Sequence, residues 1–477
     1  MATEFQFLLA RLRAELAMAR NLSRQDDAQK VIDLYNGQHY DYVLEELQTI
    51  FKSWKDLKLQ IAIDNVTRSV VDKLSNVIDS APVFTCDDAA VQDVINEVMA
   101  DGMLKVALKK WECYSNAVEL AALHPVWDDA RKGFKFRVFH QGQLFVAQKD
   151  EDPEEADAII YRREWYDSIN KRDVIDYVNW SDEYAFIFDQ NGTERSANPE
   201  TNPDMVNPYG MIPFAFLRAQ LPEGSFFPEV SEELTTAQIE IDLLLTYINQ
   251  LCRLQSFGVP VAENWQGNGE IIIDPSLVLK IPAPIAGEPG GKFSFVTPPN
   301  TLPQLLEVLK DKLSRLLVRY GLPPSAFRLG GTASSGYALK LENFDLKRHR
   351  IDAIPLMTYA LRDLWRIILR MYNVHNGTNV AENALIMIDY PEPEYEDDPT
   401  SAATKVDIMM KKIKAGVASP IDWAKQENPD LDDDAAEAFV TENLQRMQTL
   451  TRRFPNLAAI IGGTTTQNDG GANNGGI

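Results

Sequence analysis

PEVSEELTTAQIEIDLLLTYINQLCRLQSFGVP, residues 228–260, decides how this chain is organised. Val230, Leu234, Ala237, Ile241, Leu244, Ile248 and Leu251 step by four and three, the repeat of a helix that lays one apolar stripe against a partner helix. Pro228 opens this helix and Phe257-Gly258-Val259-Pro260 ends it, giving about 29 residues and ~43 Å at ~1.5 Å per residue. A helix striped on one face needs a partner. The sequence supplies one at Thr301-Leu302-Pro303-Gln304, where Thr and Gln have capping-box spacing and proline sits in the first turn. Leu302, Leu305, Leu309, Leu313 and Leu316 make its stripe, and Tyr320-Gly321-Leu322-Pro323-Pro324 stops it. Between the two, residues 259–300 are rich in Gly and Pro, with short apolar runs at Ile271-Ile272-Ile273 and Phe293-Ser294-Phe295-Val296, which reads as a small β-rich insert. The economical arrangement is an antiparallel helix pair with the insert at its tip.

Upstream, the first 60 residues read as helix, with a Gly-type stop at Tyr35-Asn36-Gly37. Ile61–Val83 and Val91–Leu123 read as longer helices. At Phe134 the period changes to two. Phe134, Phe136 and Val138, a Gln141-Gly142 turn and Leu144-Phe145-Val146 suggest a hairpin. Further strands fit Ala158–Trp165, Val174–Trp180 and Tyr184–Phe188, with Asn191-Gly192 as a turn. MIPFAFLRA (Met211–Ala219) reads as a strand before the long helix. Downstream, RLGGTASSG (Arg328–Gly336) is a small, flexible loop. A long helix from Tyr337 to Tyr372 follows, with Pro355 placed to kink it. A strand at Ala384–Ile388, the acidic link DYPEPEYEDDP, a helical region over 400–461 and a Gly/Asn-rich tail complete the chain.

The chain has 477 residues, enough for about three domains, with 45% hydrophobic residues and a net charge of −23 from 70 Asp+Glu against 47 Lys+Arg. That balance argues against a protein that grips nucleic acid through a basic surface, which needs Lys and Arg to displace counterions. Cys86, Cys113 and Cys252 are too few and too scattered for a disulfide framework or zinc cluster, and read as buried small residues in a reducing compartment. Arg11, Arg13 and Glu15 interrupt the N-terminal apolar residues, so no signal peptide is expected. No apolar run approaches the ~18 residues of a membrane span.

Motifs for catalysis are absent or incomplete, and no catalytic residue, metal or cofactor is expected. Gly287-Glu288-Pro289-Gly290-Gly291-Lys292-Phe293 has Ala286 where a P-loop has its first Gly and Phe where Mg²⁺ needs a hydroxyl. Gly267-Asn268-Gly269 lacks the third Gly and following helix of a dinucleotide site. Ser334-Ser335-Gly336 has Thr332 at the first Gly of a nucleophile elbow. The five histidines form no HxH or HxxxH pair. Asp389, Glu392, Glu394, Glu396, Asp397 and Asp398 leave open a metal-dependent nuclease, but a solvated Pro-rich link explains them more simply. Asp430, Asp432, Asp433 and Asp434 precede a helix and offset its dipole. Arg315, Arg319 and Lys347-Arg348-His349-Arg350 read as solvated helix faces before they read as DNA contacts.

Three segments resemble the tailed-phage portal family, in its siphovirus-like group. LYNGQHYDY (Leu34–Tyr42) looks like its early Tyr-Asn-Gly segment, and NPYGMIPFAFLR (Asn207–Arg218) like its Gly-x-Ile-Pro strand. GTASSGYALKLENFDLKRHR (Gly331–Arg350) is similar to its Ser-Gly-x-Ala-Leu-Lys segment. Their order, with the helix–insert–helix unit between the last two, covers about residues 30–455. The resemblance implies an α+β, mainly helical portal fold with wing, two-helix stem, small β-rich clip and helical crown. The expected boundaries are wing 1–225, stem 226–258 and 301–327, clip 259–300 and tunnel loop 328–336. A long kinked helix and strand (337–397) return to the wing, the crown spans 398–461 and a disordered tail 462–477. It also implies a ring of twelve copies at one capsid vertex of the virion, assembled in the host cytoplasm without a membrane. Double-stranded DNA would pass through it, and the large terminase subunit, a head–tail connector (adaptor) protein and the major capsid and scaffolding proteins would be its partners. The tunnel loop facing DNA would be Arg328, Leu329, Gly330, Gly331, Thr332, Ala333, Ser334, Ser335 and Gly336. Docking through the clip would use Glu263, Asn264, Trp265, Gln266, Glu288 and Lys292. A non-ring capsid or scaffolding component is the remaining alternative.

Overall fold

Helix α1 (Ala19–Tyr35) opens the computed structural model and stops at Asn36-Gly37, where Gly37 takes φ +86°. The structure describes residues 18–50, 60–168, 170–189, 193–196, 200, 202–221, 223–257, 259–263, 292–296, 301–323, 344–391, 399–428 and 432–453. Helix α2 (Tyr40–Ile50) and the short α3 (Val66–Leu74) follow. The residues expected as one helix over 61–83 therefore form only α3, a turn and strand β1 (Val83–Thr85). The reason is tertiary: the turn's backbone is bonded by groups from elsewhere in the fold, described below, and these compete with a helical ladder. The region 91–123 also divides. Helix α4 (Ala89–Met99), capped by Asp88, and α5 (Met103–Val118) are separated at Gly102, which takes φ +70°. Helix α5 then ends at Glu119, which adopts φ +65° and turns the chain straight into strand β2 (Leu120–Asp128).

Strand β2 is the centre of the first unit, residues 1–393. It pairs antiparallel with β3 (Gly133–His140) along its length, Ala121 opposite His140 and Asp128 opposite Gly133. Strand β4 (Leu144–Gln148) pairs with β5 (Ala156–Asp167) instead, so the expected hairpin across Gln141-Gly142 is replaced by a step between two sheets. The second sheet runs β4-β5-β6-β7-β8, with β6 (Arg172–Ser181), β7 (Ala185–Asp189) and β8 (Glu194–Arg195). The Asn191-Gly192 turn lies outside the described residues. Strand β9 (Ala215–Arg218), from the expected MIPFAFLRA strand, pairs with the start of β2.

The two faces of β2 enter different cores. Leu120 and Ala122 join Leu144, Val146, Ile159, Val178 and Phe214 between the sheets. Ala121 and Leu123 join Trp111, Leu361, Leu364 and Trp365 beneath the helices. Next to the first core, His124 is buried and stacked on Phe214 at 4.3 Å. Its Nδ1 donates to the Pro213 carbonyl at 2.6 Å, and burial pushes its pKa down to about 4.

Helix α6 (Glu233–Phe257) starts five residues after Pro228, and its first turn is bonded by Ser231 and Glu232. Strands β10 (Val259–Glu263) and β11 (Lys292–Val296) pair antiparallel, and α7 (Leu302–Arg319) follows. Thr301 makes no side-chain cap, so the capping-box expectation fails there, while Pro303 does sit in the first turn. Helix α8 (Phe344–Asn376) contains Pro355, which cannot donate to the Ile351 carbonyl. Its buried residues, from Met357 to Asn373, all follow the proline. Strand β12 (Met387–Asp389) begins three residues later than expected, ends one residue later and pairs with β1. The second unit holds α9 (Pro399–Lys414), α10 (Pro420–Glu427) and α11 (Asp433–Arg453). Asp432 caps α11 by accepting from the Ala435 amide at 2.8 Å, as the run of acids before this helix suggests.

On the other face of the five-stranded sheet, Phe145, Ala147, Ala158, Ile160, Phe186 and Phe188 form an apolar cluster. Asn179 points to the same face of β6 as Tyr177, which packs on that cluster, and is fully buried with neither amide atom hydrogen-bonded. An unpaired buried amide is destabilising. Asn179→Val should therefore stabilise the fold by about 1–3 kcal/mol, read as a higher urea midpoint. A lower midpoint would show that the amide is needed.

Candidate functional site: the paired helices and the segments that hold them

Helices α6 and α7 run antiparallel. Glu240 pairs with Lys312, and Glu233 with Arg319 at 3.0 Å, so higher numbers on one helix meet lower numbers on the other. Leu234 and Ile241 of α6 meet Leu313, Leu316 and Leu317 of α7, with Val66, Val70 and Val71 of α3 closing the cluster. These are part of the seven-residue stripe. Leu244 and Leu251 of the same stripe stay half-exposed.

The other buried row of α6 is polar: Thr235, Gln238, Asp242 and Thr246, spaced by three and four. Asp242 is fully buried and accepts three hydrogen bonds. They come from His39 Nδ1 at 2.6 Å, the Asp64 amide at 3.0 Å and Gln238 Nε2 at 3.1 Å. The other His39 nitrogen, Nε2, lies 2.8 Å from the Leu34 carbonyl. Both ring nitrogens of His39 are thus engaged, one on the helix α6 carboxylate and one on a backbone carbonyl. Gln238 donates to the Asp64 carbonyl and accepts from the Thr67 amide and hydroxyl. Thr246 accepts from the Ala62 amide at 3.0 Å. The turn after α1 and the segment 62–67 are thus fastened to one face of α6. The LYNGQHYDY segment supplies Gly37 for the turn and His39 for the buried pair.

Two further junctions surround this one. In NPYGMIPFAFLR, Asn207 donates to the Ser181 and Met211 carbonyls at 2.6 and 2.8 Å and accepts from the Tyr209 amide. The Tyr209 carbonyl accepts from Arg370 Nε at 2.9 Å, and Tyr209 Oη meets His375 Nε2 at 2.9 Å. The motif fastens β9 to the second half of α8. The first half of α8 is held by Arg350, whose guanidinium donates to the Asn76, Tyr390 and Pro391 carbonyls. Asn76 belongs to the turn after α3, which α5 also holds. Glu112 accepts from the Val77 and Ile78 amides at 2.7 and 3.2 Å, and Lys109 donates to the Ser75 carbonyl and to Asp79. Burial pushes the Glu112 pKa up to about 7, against the pull of the Val77 amide and the Lys109 charge.

Of the residues expected to dock partners, the structure brings Glu263 and Lys292 together as the end pair of the β10–β11 ladder, both exposed. Asn264, Trp265, Gln266 and Glu288 lie outside the described residues, as does the whole loop from Arg328 to Gly336. In the acidic link, Asp389 sits in β12 opposite Val83, and Glu392, Glu394, Glu396, Asp397 and Asp398 lie outside the described residues. Among the described residues no three His, Cys, Asp or Glu side chains gather where they could hold a metal ion. No described helix is long and apolar enough to cross a membrane. The Asp242 network is the feature the sequence reading missed. Its signal was present in Gln238, Asp242 and Thr246, four residues apart inside an apolar helix.

The model of the family described as phage portal protein, SPP1 Gp6-like, matches residues 18–449, and the chain belongs to that family. It is accordingly a phage portal protein, a component of the portal vertex of the virion, in a family whose members are generally structural. No curated protein matches the chain. Among solved structures, one similar chain comes from the virion of a native gene transfer agent (GTA) particle. It shows 12% identity, TM-score 0.38, and coverage of 74% of this chain and 86% of that one. Another comes from the neck of an empty GTA particle computed with C6 symmetry, at 12% identity and TM-score 0.39, covering 74% and 87%. A third, from the neck of a native GTA particle computed with C12 symmetry, has 13% identity and TM-score 0.38, with the same 74% and 87%.

Two outcomes follow from the buried charges. His39→Leu should cost about 3–5 kcal/mol, because it strands the Asp242 carboxylate. Adding Asp242→Asn should return more than about 1 kcal/mol, since the neutral amide still accepts the Asp64 N–H. Urea unfolding of the two variants checks this, and equal midpoints would deny the charge pair. For Glu112 the folded pKa lies above the unfolded one. Its contribution is therefore complete below pH about 4.5 and declines as pH rises to about 7. The loss is at most about 1.4 kcal/mol per pH unit, and Glu112→Gln should flatten it in melting curves taken between those pH values.

Proposed function

We propose that this portal protein works as a ring of twelve copies through which double-stranded DNA enters and leaves the capsid. The α6–α7 pair with β10 and β11 at its end carries this reading. A long antiparallel pair with a small sheet at one tip suits the wall of a channel and a docking point beyond it. In this reading residues 1–225 and 337–397 form the wing, and 226–258 and 301–327 the stem. Residues 259–300 are the clip, 328–336 the tunnel loop and 398–461 the crown. The clip residues Glu263, Asn264, Trp265, Gln266, Glu288 and Lys292 dock the large terminase subunit during packaging and a connector protein afterwards. Arg328–Gly336, small and poor in fixed charge, lies against the moving duplex without gripping bases.

The charge supports transit rather than capture. Each phosphate neutralised by Lys or Arg adds to a salt-dependent grip, which in a channel acts as a brake. A chain with a net charge of −23 has few bases to spare for such a grip. The mechanical work then belongs to a separate ATPase, which fits the incomplete P-loop at Gly287–Phe293.

Negative-stain electron microscopy of the purified chain should show rings of about twelve subunits with a central hole. Monomers or closed shells would refute the reading. Deleting Gly330–Ser335 should preserve these rings and reduce DNA packaging or retention. Loss of assembly would make the loop a structural element instead.

A further inference from the structure

Among the described residues, helix α11 outruns the helix packed on it. Helix α10, eight residues and ~12 Å long, lies against its start, where Lys425 pairs with Asp433 at 2.5 Å and Ala436 is fully buried. Helix α11 has 21 residues and spans ~31 Å. At ~100° per residue, Ala436, Val440, Leu444, Met447 and Leu450 fall in one stripe ~120° wide. Thr441, Gln445 and Thr449 occupy the opposite face. The two ends of the stripe differ. Val440 is half-buried, but every residue from Thr441 to Leu450 is exposed, with Leu444 at 58%, Met447 at 42% and Leu450 at 43%. A stripe filled at one end and open at the other has room for a further apolar element. A helix end without packing is also marginal in water and gains from a cover.

The chain itself carries a matching segment. Directly after α11 comes FPNLAAII, residues 454–461, which holds no charge and is followed by Gly462-Gly463. It lies outside the described residues. Pro455 has no amide hydrogen and its ring opposes the carbonyl four residues back, so a regular helix does not run on unbroken through it. Asn456 next to it is a turn former. Beyond Ile461 the only large apolar residue is Ile477, so Leu457–Ile461 is the one apolar run that follows the helix. Its reach is sufficient. From Arg453 back to Leu444 is ~14 Å along the helix axis, and five extended residues span ~16 Å. A connection of three residues also holds the run near the stripe at an effective concentration of about millimolar or above, which a second copy in dilute solution does not match. We propose that residues 457–461 fold back over Leu444, Met447 and Leu450 and close the apolar stripe of α11. The strap works within one copy, in a ring or out of it, and keeps the second unit from joining other copies through this face.

The test uses the full chain. Met447→Cys is combined in turn with Ala458→Cys and Ala459→Cys, and the purified variants are mildly oxidised. At least one pair should form a disulfide that runs at monomer mass on non-reducing denaturing gels, with its partners identified by peptide mapping. A second measurement needs no cysteine. Amides of residues 444–450 should exchange with deuterium at least about tenfold faster in Ile460→Asp/Ile461→Asp than in the wild-type chain. Amides of α5 and of the second half of α8 should exchange equally in both, which shows that the variant folds. A disulfide found only at dimer mass would give the stripe to a second copy and overturn the strap. Absence of any disulfide, or exchange no faster in the charged variant, would overturn it as well.

Discussion

A single buried carboxylate fixes how the long helix α6 is seated. Asp242 has no solvent exposure, so its charge must be met by the protein. It is met by groups from three directions: the His39 ring, the Asp64 amide and Gln238 on its own helix. Hydrophobic contact is non-directional. The leucines shared with α7 would tolerate a helix rotated or slid by part of a turn. The polar row would not, because a rotation or slide by part of a turn takes Asp242 out of hydrogen-bond reach of His39 and the Asp64 amide. Apolar packing holds α6 to α7 and α3, and the polar row sets its register against the residues after α1.

The same logic governs α8. Pro355 removes one backbone bond, and the residues on either side are held differently. Beyond it, Leu361, Leu364, Trp365 and Ile368 are locked in the main core, with Phe84 edge-on to Trp365 at 5.1 Å. Before it, the helix is mostly exposed and depends on Arg350, whose three acceptors are all backbone carbonyls. Such an anchor is directional but shallow. Glu112 holds the same turn from the other side, which places a titratable group beside the anchor.

How much of this was legible depended on which period the residues kept. The helix pair, the insert between its members and the strands β5 to β7 follow from stripes of period 3.5 and 2, which burial on one face imposes. Strand β2 did not follow. Leu120-Ala121-Ala122-Leu123 is apolar without interruption because one face of the strand meets a sheet and the other meets helices. A run buried on both faces has no period to distinguish it from buried helix. The hairpin assigned across Gln141-Gly142 failed for a related reason. Alternation shows that Phe134–Val138 and Leu144–Val146 are strands, but strand pairing is a long-range choice that a turn signal does not settle. The motifs of the portal resemblance were visible as strings. Their physical content, a φ > 0 turn at Gly37 leading to His39 and an Asn207 that bonds two carbonyls, appears only when α6 and α8 are in place.

The acid excess takes its meaning from where it lies. Averaged over the surface, −23 would push copies of the chain apart. It is not averaged. The β4–β5 connection concentrates acids with almost no bases, strands β5 and β6 mix both signs, with Arg162 beside Glu164 and Arg163 on Asp176, and on α7 Lys312 and Arg319 each meet a glutamate of α6. Unlike charges are thus placed where helix α6 meets α7.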